Sequence, residues 1–214
     1  MIFKNRNQAA ELLVEKLGQY KGERGVVIAI PKGGLPLGYI LAKHLDYSLD
    51  VVLVKKIGHP VDREYALGSA SLKGVVVGRH ADVSPSYLEQ ETARLRKQLK
   101  SRDQLYHKDY PALPLKGKVV IITDDGIATG KTLLAAIDLI RIEQPSKIVV
   151  AVPMAPPSAL PKIERLVDDV VCLQTPTNCH SVSQCYDDFQ QVSDQTALEL
   201  LEKARKLEIE SHGN

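Results

Sequence analysis

The chain has 214 residues, 44% of them hydrophobic and 25% charged, with a formal net charge of +2. That length supports one domain with a sizeable core, and so small a net charge leaves no global footprint for nucleic acid or an acidic membrane surface. No apolar run approaches membrane-spanning length, and Met1-Ile2-Phe3-Lys4-Asn5-Arg6 lacks the apolar stretch of a secretory leader, so the sequence reads as a cytoplasmic protein.

A helical pattern over Gln8–Gln19 precedes a β-branched run at Val26–Ile30. Pro31-Lys32-Gly33-Gly34 follows. Two glycines after a cation make either an anion nest or a helix-entry turn with a surface lysine. Helical spacing resumes over Leu35–Leu45, and a second apolar run, Val51–Val54, ends in Lys55-Lys56. That pair reads either as charge for neutralising an anion or as plain surface charge. From Gly58 to Ala70, Gly and Pro punctuate a mixed-charge stretch without a clear period. Ser84-Pro85 then opens a helix over Ser86–His107, with Pro at a favoured first position. Leu88, Leu95 and Leu99 give it a thin apolar stripe. Arg94, Arg96, Lys97, Lys100 and Arg102 make it cationic, tempered by Glu89, Glu91 and Asp103. A solvated face and a partner surface are the two readings.

A third run, Val119–Ile122, leads through Thr123 into Asp124-Asp125-Gly126-Ile127-Ala128-Thr129-Gly130-Lys131-Thr132. Leu133, Leu134, Ile137 and Ile140 then recur at helix spacing over Lys131–Ile142. The loop therefore lies at a helix N-terminus, where free N–H groups and the dipole favour an anion. Two carboxylates beside it would repel a bare phosphate. They suit a ligand that also carries hydroxyls or a metal ion, as a sugar phosphate does. Further runs at Ile148–Val152 and Val170–Leu173 precede a terminal helical pattern, Asp194–Leu207. The runs are continuous rather than alternating, which predicts an α/β protein with a parallel sheet covered on both faces. Ligands bind beyond the carboxyl ends of such strands. Three cysteines, Cys172, Cys179 and Cys185, include no C-x-x-C pair and read as reduced; Cys179-His180 has no further ligand at metal spacing.

Two other phosphate motifs do not fit. Walker A needs four residues between its glycines, and Gly126 and Gly130 enclose three. No G-x-G-x-x-G follows any strand. A tight turn with solvated acids is the bland alternative. In its apolar strand, twin acids and short loop ending Thr-Gly, the chain resembles the type I phosphoribosyltransferases, a likeness running from about residue 3 to residue 203.

The resemblance implies one domain over 1–214: a parallel sheet of about five strands flanked by helices, with a core at about 24–155 and a small C-terminal hood at about 174–195 plus the terminal helix. It implies transfer of phosphoribose from phosphoribosyl pyrophosphate (PRPP) to a nitrogenous base, with release of pyrophosphate and Mg²⁺ carried largely by the substrate's oxygens. Asp124 and Asp125 would face the ribose hydroxyls and meet the metal only through PRPP. Gly126, Ile127, Ala128, Thr129, Gly130, Lys131 and Thr132 would hold the 5-phosphate. Pro31, Lys32, Gly33 and Gly34 would hold the pyrophosphate, with a Pro31–Lys32 bond that is cis or near a cis/trans switch. Lys32, Lys55, Lys56, Arg63 and Glu64 would assist catalysis, the last two from a mobile loop, with an ordered β-ribbon that carries no catalytic side chain as the alternative for that stretch. Tyr186 and Phe189 would receive the acceptor, or else anchor the hood to the core. Ala128, where enzymes for hypoxanthine and guanine typically carry Asp, disfavours 6-oxopurines. The expected partners are small molecules and a second copy of the chain, without nucleic acid or membrane. Some relatives instead sense PRPP and regulate through nucleic acid or a protein partner.

Overall fold

The computed structural model describes residues 2–62, 65–78, 82–177 and 181–212. Arg63, Glu64, Cys179 and His180 lie outside the described residues. The chain opens with helix α1 (Arg6–Lys16), whose Asn5 side chain caps it by accepting from the Gln8 amide at 3.0 Å. A single 3-10 turn, Gly18–Tyr20, stands where the periodicity predicts helix as far as Gln19. Strand β1 (Gly25–Ala29) and helix α2 (Gly34–Leu45) follow.

Asp46 closes α2 in the left-handed region (φ 60°), turning the chain at once into β2 (Ser48–Val51). The second strand therefore lies three residues before the expected Val51–Val54 run. A buried acid, Asp50, interrupts its apolar pattern. Both Asp50 oxygens are satisfied: Oδ1 by the Val51 amide and His107, Oδ2 by the Leu113 amide. Lys55-Lys56 consequently does not end a strand of the main sheet. It begins β3 (Lys55–Gly58), which pairs antiparallel with β4 (Ala66–Ala70) and through it with β5 (Val75–Val77). This separate three-stranded ribbon occupies the stretch that shows no period in the sequence.

Ser84 caps the long helix α3 (Pro85–Tyr106) by accepting from the Tyr87 amide. Strand β6 (Val119–Thr123), helix α4 (Lys131–Ile142), strand β7 (Lys147–Met154), the short helix α5 (Leu160–Glu164), strand β8 (Asp169–Gln174) and helix α6 (Asp194–His212) complete the order. The main sheet is parallel, five-stranded and ordered β2-β1-β6-β7-β8.

Strand alternation divides the core. Val27, Ile121 and Val149 pack with Leu13, Leu35, Leu41 and Leu201 on the face covered by α1, α2 and α6. Val26, Val120 and Ile148 pack with Leu133, Ile137 and Ile140 of α4 on the other. Between β1 and β6 the strand order reverses direction. In an open α/β sheet that point is the crevice where ligands bind. Among the described residues, no helix is long and apolar enough to cross a membrane.

Candidate active site

The crevice is walled by the two loops that leave β1 and β6. The Ile30 amide donates to the Thr123 carbonyl at 2.9 Å, so the loops depart side by side. The Pro31–Lys32 peptide bond is cis, one of the two states the family resemblance implies. Glycine is required next: a Cβ on Gly33 would lie 2.2 Å from Asp125 Oδ2, and one on Gly34 would lie 2.6 Å from the Thr123 carbonyl oxygen. The two loops are thus in direct contact.

The loop after β6 is fastened at its middle. Ile127 is buried and its amide donates to the Met154 carbonyl at 2.8 Å. Gly130, at φ 76°, then turns the chain into α4. Among the described residues, the amides of Gly126, Ala128, Thr129 and Gly130 have no hydrogen-bond acceptor. They run directly into the N–H groups that open α4, so the donors of the loop and of the helix N-terminus are contiguous in the chain. Thr129 is exposed.

The twin acids have different surroundings. Asp125 is buried, and its Oδ2 accepts from Arg6 Nε at 2.9 Å and Nη2 at 2.7 Å. Asp124 accepts the Asp125 amide on Oδ1. Burial, and next the charge of Asp125, push its carboxyl well above the usual carboxylate range. Hydroxyl donors or a cation would relieve that penalty. Among the described residues no cluster of three His, Cys, Asp or Glu could hold a metal.

Arg6 escapes a reading of the sequence. It sits in the first turn of α1, where the helix dipole disfavours a cation. That misplacement is its one sequence signal. Besides Asp125 it donates from Nη1 to the Gln190 carbonyl at 2.7 Å, and its guanidinium lies 3.9 Å from the Phe189 ring centroid. It ties the acid to the hood.

Residues 185–188, within the expected hood, are seated on residues 3 and 4. The Phe3 amide donates to the Cys185 carbonyl, and the Asp187 and Asp188 amides donate to the carbonyls of Phe3 and Lys4. Of the two readings of Tyr186, acceptor platform and anchor, its contacts fit the anchor. Its ring is buried between Phe3 (5.5 Å) and Phe189 (5.2 Å), and its hydroxyl donates to the Asp125 carbonyl at 2.6 Å. It anchors the hood. Phe189 is half-buried with one face beneath Arg6.

On the other side of the β1 loop, a cavity of about 240 Å³ is lined by Lys32, Lys55, Arg102 and Thr132 over an apolar floor that includes Leu99 and Tyr106. Lys56, one residue along β3 and so on the opposite face, is not part of this lining. Lys32 Nζ lies 3.4 Å from Asp194 Oδ1, which also accepts from Arg102 at 3.1 Å.

Residues 1–190 match the family model for the phosphoribosyl transferase domain. Two Mycobacterium tuberculosis proteins, from strains CDC 1551 and H37Rv and each named "Putative phosphoribosyl transferase", are 35% identical over 210 residues, covering 96% of this chain. The chain spans 47% of the length of these curated relatives. The crystal structure of TT1426 from Thermus thermophilus is 36% identical and superposes with a TM-score of 0.89 over 95% of this chain and 99% of that one.

Proposed function

The chain belongs to the phosphoribosyl transferase family, and on that premise we propose that it transfers phosphoribose from PRPP to a nitrogenous base, releasing pyrophosphate with Mg²⁺ bound to the substrate. The observation that carries this reading is the pair of touching loops at the switch point. One presents four amides that have no acceptor among the described residues, beside Asp124 and Asp125; the other presents Lys32 and two closely packed glycines.

The 5-phosphate would accept from the amides of Gly126, Ala128, Thr129 and Gly130, with Thr129 and Thr132 as added hydroxyl donors. Asp124 and Asp125 would accept from the ribose hydroxyls and so hold the sugar in one orientation. As the bond from the anomeric carbon to pyrophosphate breaks, positive charge develops on the sugar and negative charge on the leaving group. Lys32 and Lys55, which line one cavity, would neutralise the latter. When bound, Mg²⁺ supplies further charge neutralisation on the diphosphate. The protein's work is positioning and electrostatics, with no covalent intermediate. The methyl of Ala128 offers no proton to exchange with a ring nitrogen, so hypoxanthine and guanine are expected to be poor acceptors. The reaction would take place in the cytoplasm.

The test is incubation of the protein with PRPP, Mg²⁺ and a panel of bases, with pyrophosphate release as the readout. Base-dependent release supports transfer. PRPP binding without release under any base would support a sensor instead. No calorimetric signal with saturating PRPP and Mg²⁺ would overturn both.

A further inference from the structure

Arg102 belongs to α3, a helix whose cations otherwise look like solvated surface charge; Arg94, for instance, is paired with Glu91 on the same helix. Arg102 alone of the five basic residues between 94 and 102 lines the cavity beside the β1 loop, together with Lys32, Lys55 and Thr132. Three cations from three separate elements thus meet over one cavity whose wall includes Thr132 in the first turn of α4. Their charge is only partly balanced. Asp194 Oδ1 bridges Lys32 at 3.4 Å and Arg102 at 3.1 Å. Burial alone would raise the Asp194 carboxyl, but its hydrogen bonds and attraction to Lys32 and Arg102 outweigh that and hold it below its ordinary value.

All three partners of this bridge are about half exposed, at 38%, 50% and 47%. Ion pairs so placed are weak and readily exchanged for a stronger anion. Asp194 is also not needed to cap α6. Ser193 Oγ accepts the Thr196 amide at 3.0 Å and does that work. The carboxylate has a free alternative in solvent, whereas a diphosphate would offer both cations several oxygens at once.

We propose that Arg102 is a further binding residue for the diphosphate group, and that Asp194 is a built-in competitor that holds the Lys32–Arg102 pair until that group displaces it. The proposal rests on the transfer reading for its biological meaning. The anion site itself is testable without it. A diphosphate entering the cavity would take Arg102 and Lys32 from Asp194, leaving the carboxylate to solvent. In the empty protein the bridge keeps two like charges from repelling one another and presets both side chains towards the cavity. Its cost is a loss of affinity for the incoming anion. Free pyrophosphate would meet the same competition, which favours its departure after the reaction.

Calorimetric titration with inorganic pyrophosphate in low-salt buffer tests this on the full chain. Asp194→Asn is expected to bind about threefold to tenfold more tightly than the unmodified protein. Arg102→Gln is expected to bind about tenfold more weakly, and the double variant is expected to lose the gain of Asp194→Asn. Unchanged or weaker binding in Asp194→Asn, or unchanged binding in Arg102→Gln, overturns the proposal, as does absence of pyrophosphate binding in all forms. Thermal unfolding of each variant checks that the fold is kept; if Arg102→Gln unfolds, Arg102→Lys carries the same arm, with weaker pyrophosphate binding expected because the bidentate fork is lost. The two readings separate cleanly. Base-dependent turnover with kinetics indifferent to Arg102 and Asp194 would leave the transfer reading intact and remove this one. Pyrophosphate binding with the expected pattern but no turnover would do the reverse.

Discussion

At Arg6 a single side chain serves stability and site geometry together. The edge of its guanidinium donates to buried Asp125 and one face lies on Phe189. Arg6→Ala would leave that carboxylate unpaired in the interior and is expected to cost about 3–5 kcal/mol in urea unfolding. Tyr186→Phe removes one buried hydrogen bond to the Asp125 carbonyl and is expected to cost about 1 kcal/mol in the same measurement. Asp124→Asn with Asp125→Asn is expected to abolish PRPP binding by calorimetry with the secondary structure kept; unchanged affinity would count against the ribose role. The twin acids and the glycine loop are legible in the sequence because their local pattern is itself the candidate site. Arg6 is not, because its meaning comes from a residue 119 positions away. Tyr186 misleads because scarcity of aromatics draws attention to a ring without telling which way it points.

Among elements, the main sheet is readable wherever strands are buried on both faces, since continuous β-branched runs have no other home in a protein of this size. β2 is displaced from its expected place because its buried acid resembles a break. For the 58–70 stretch the sequence leaves a mobile loop and an ordered β-ribbon open, because its strands are short and mixed with charge and glycine; β3–β5 is the ribbon. α5, at five residues, is too short to show a period. Asp50 also explains how the end of α3 is held. The His107 ring just past that helix bridges Asp50, at 2.8 Å, and Asp103, at 2.7 Å. Burial alone would lower the imidazole, but hydrogen bonding and attraction from first Asp50 and then Asp103 outweigh it, so its pKa is raised from the ordinary 6.5. A raised folded-state pKa stabilises fully below about pH 6.5 and progressively less as pH climbs through the raised value. Stability to urea is therefore expected to fall across that interval, and His107→Asn is expected to flatten the fall. A His107→Asn profile that keeps the same slope would assign it to another group.

For the whole molecule, the strand order decides where chemistry can occur. Because β1 and β6 are neighbours whose chains run off in opposite directions, their loops are the pair that can face a common ligand from both sides. The long α3 and the first residue of α6 approach the same place from outside the sheet, which alternation and periodicity along the chain could not show. Gly33→Ala carries this to a measurement. The added methyl would press on the Asp125 carboxylate across the crevice, and the variant is expected to lose about 1–3 kcal/mol of stability together with most of its PRPP affinity. Retention of both would mean that the two loops are separable.

The backbone bonds joining Phe3 and Lys4 to residues 185–188 have a consequence for biosynthesis. On the ribosome Phe3 emerges long before its partner segment, so the nascent chain carries residues 3 and 4 unclasped while the residues between them are made. The parallel sheet can assemble as each segment appears, but the lock over Asp125 closes only once residues 185–190 have cleared the exit tunnel.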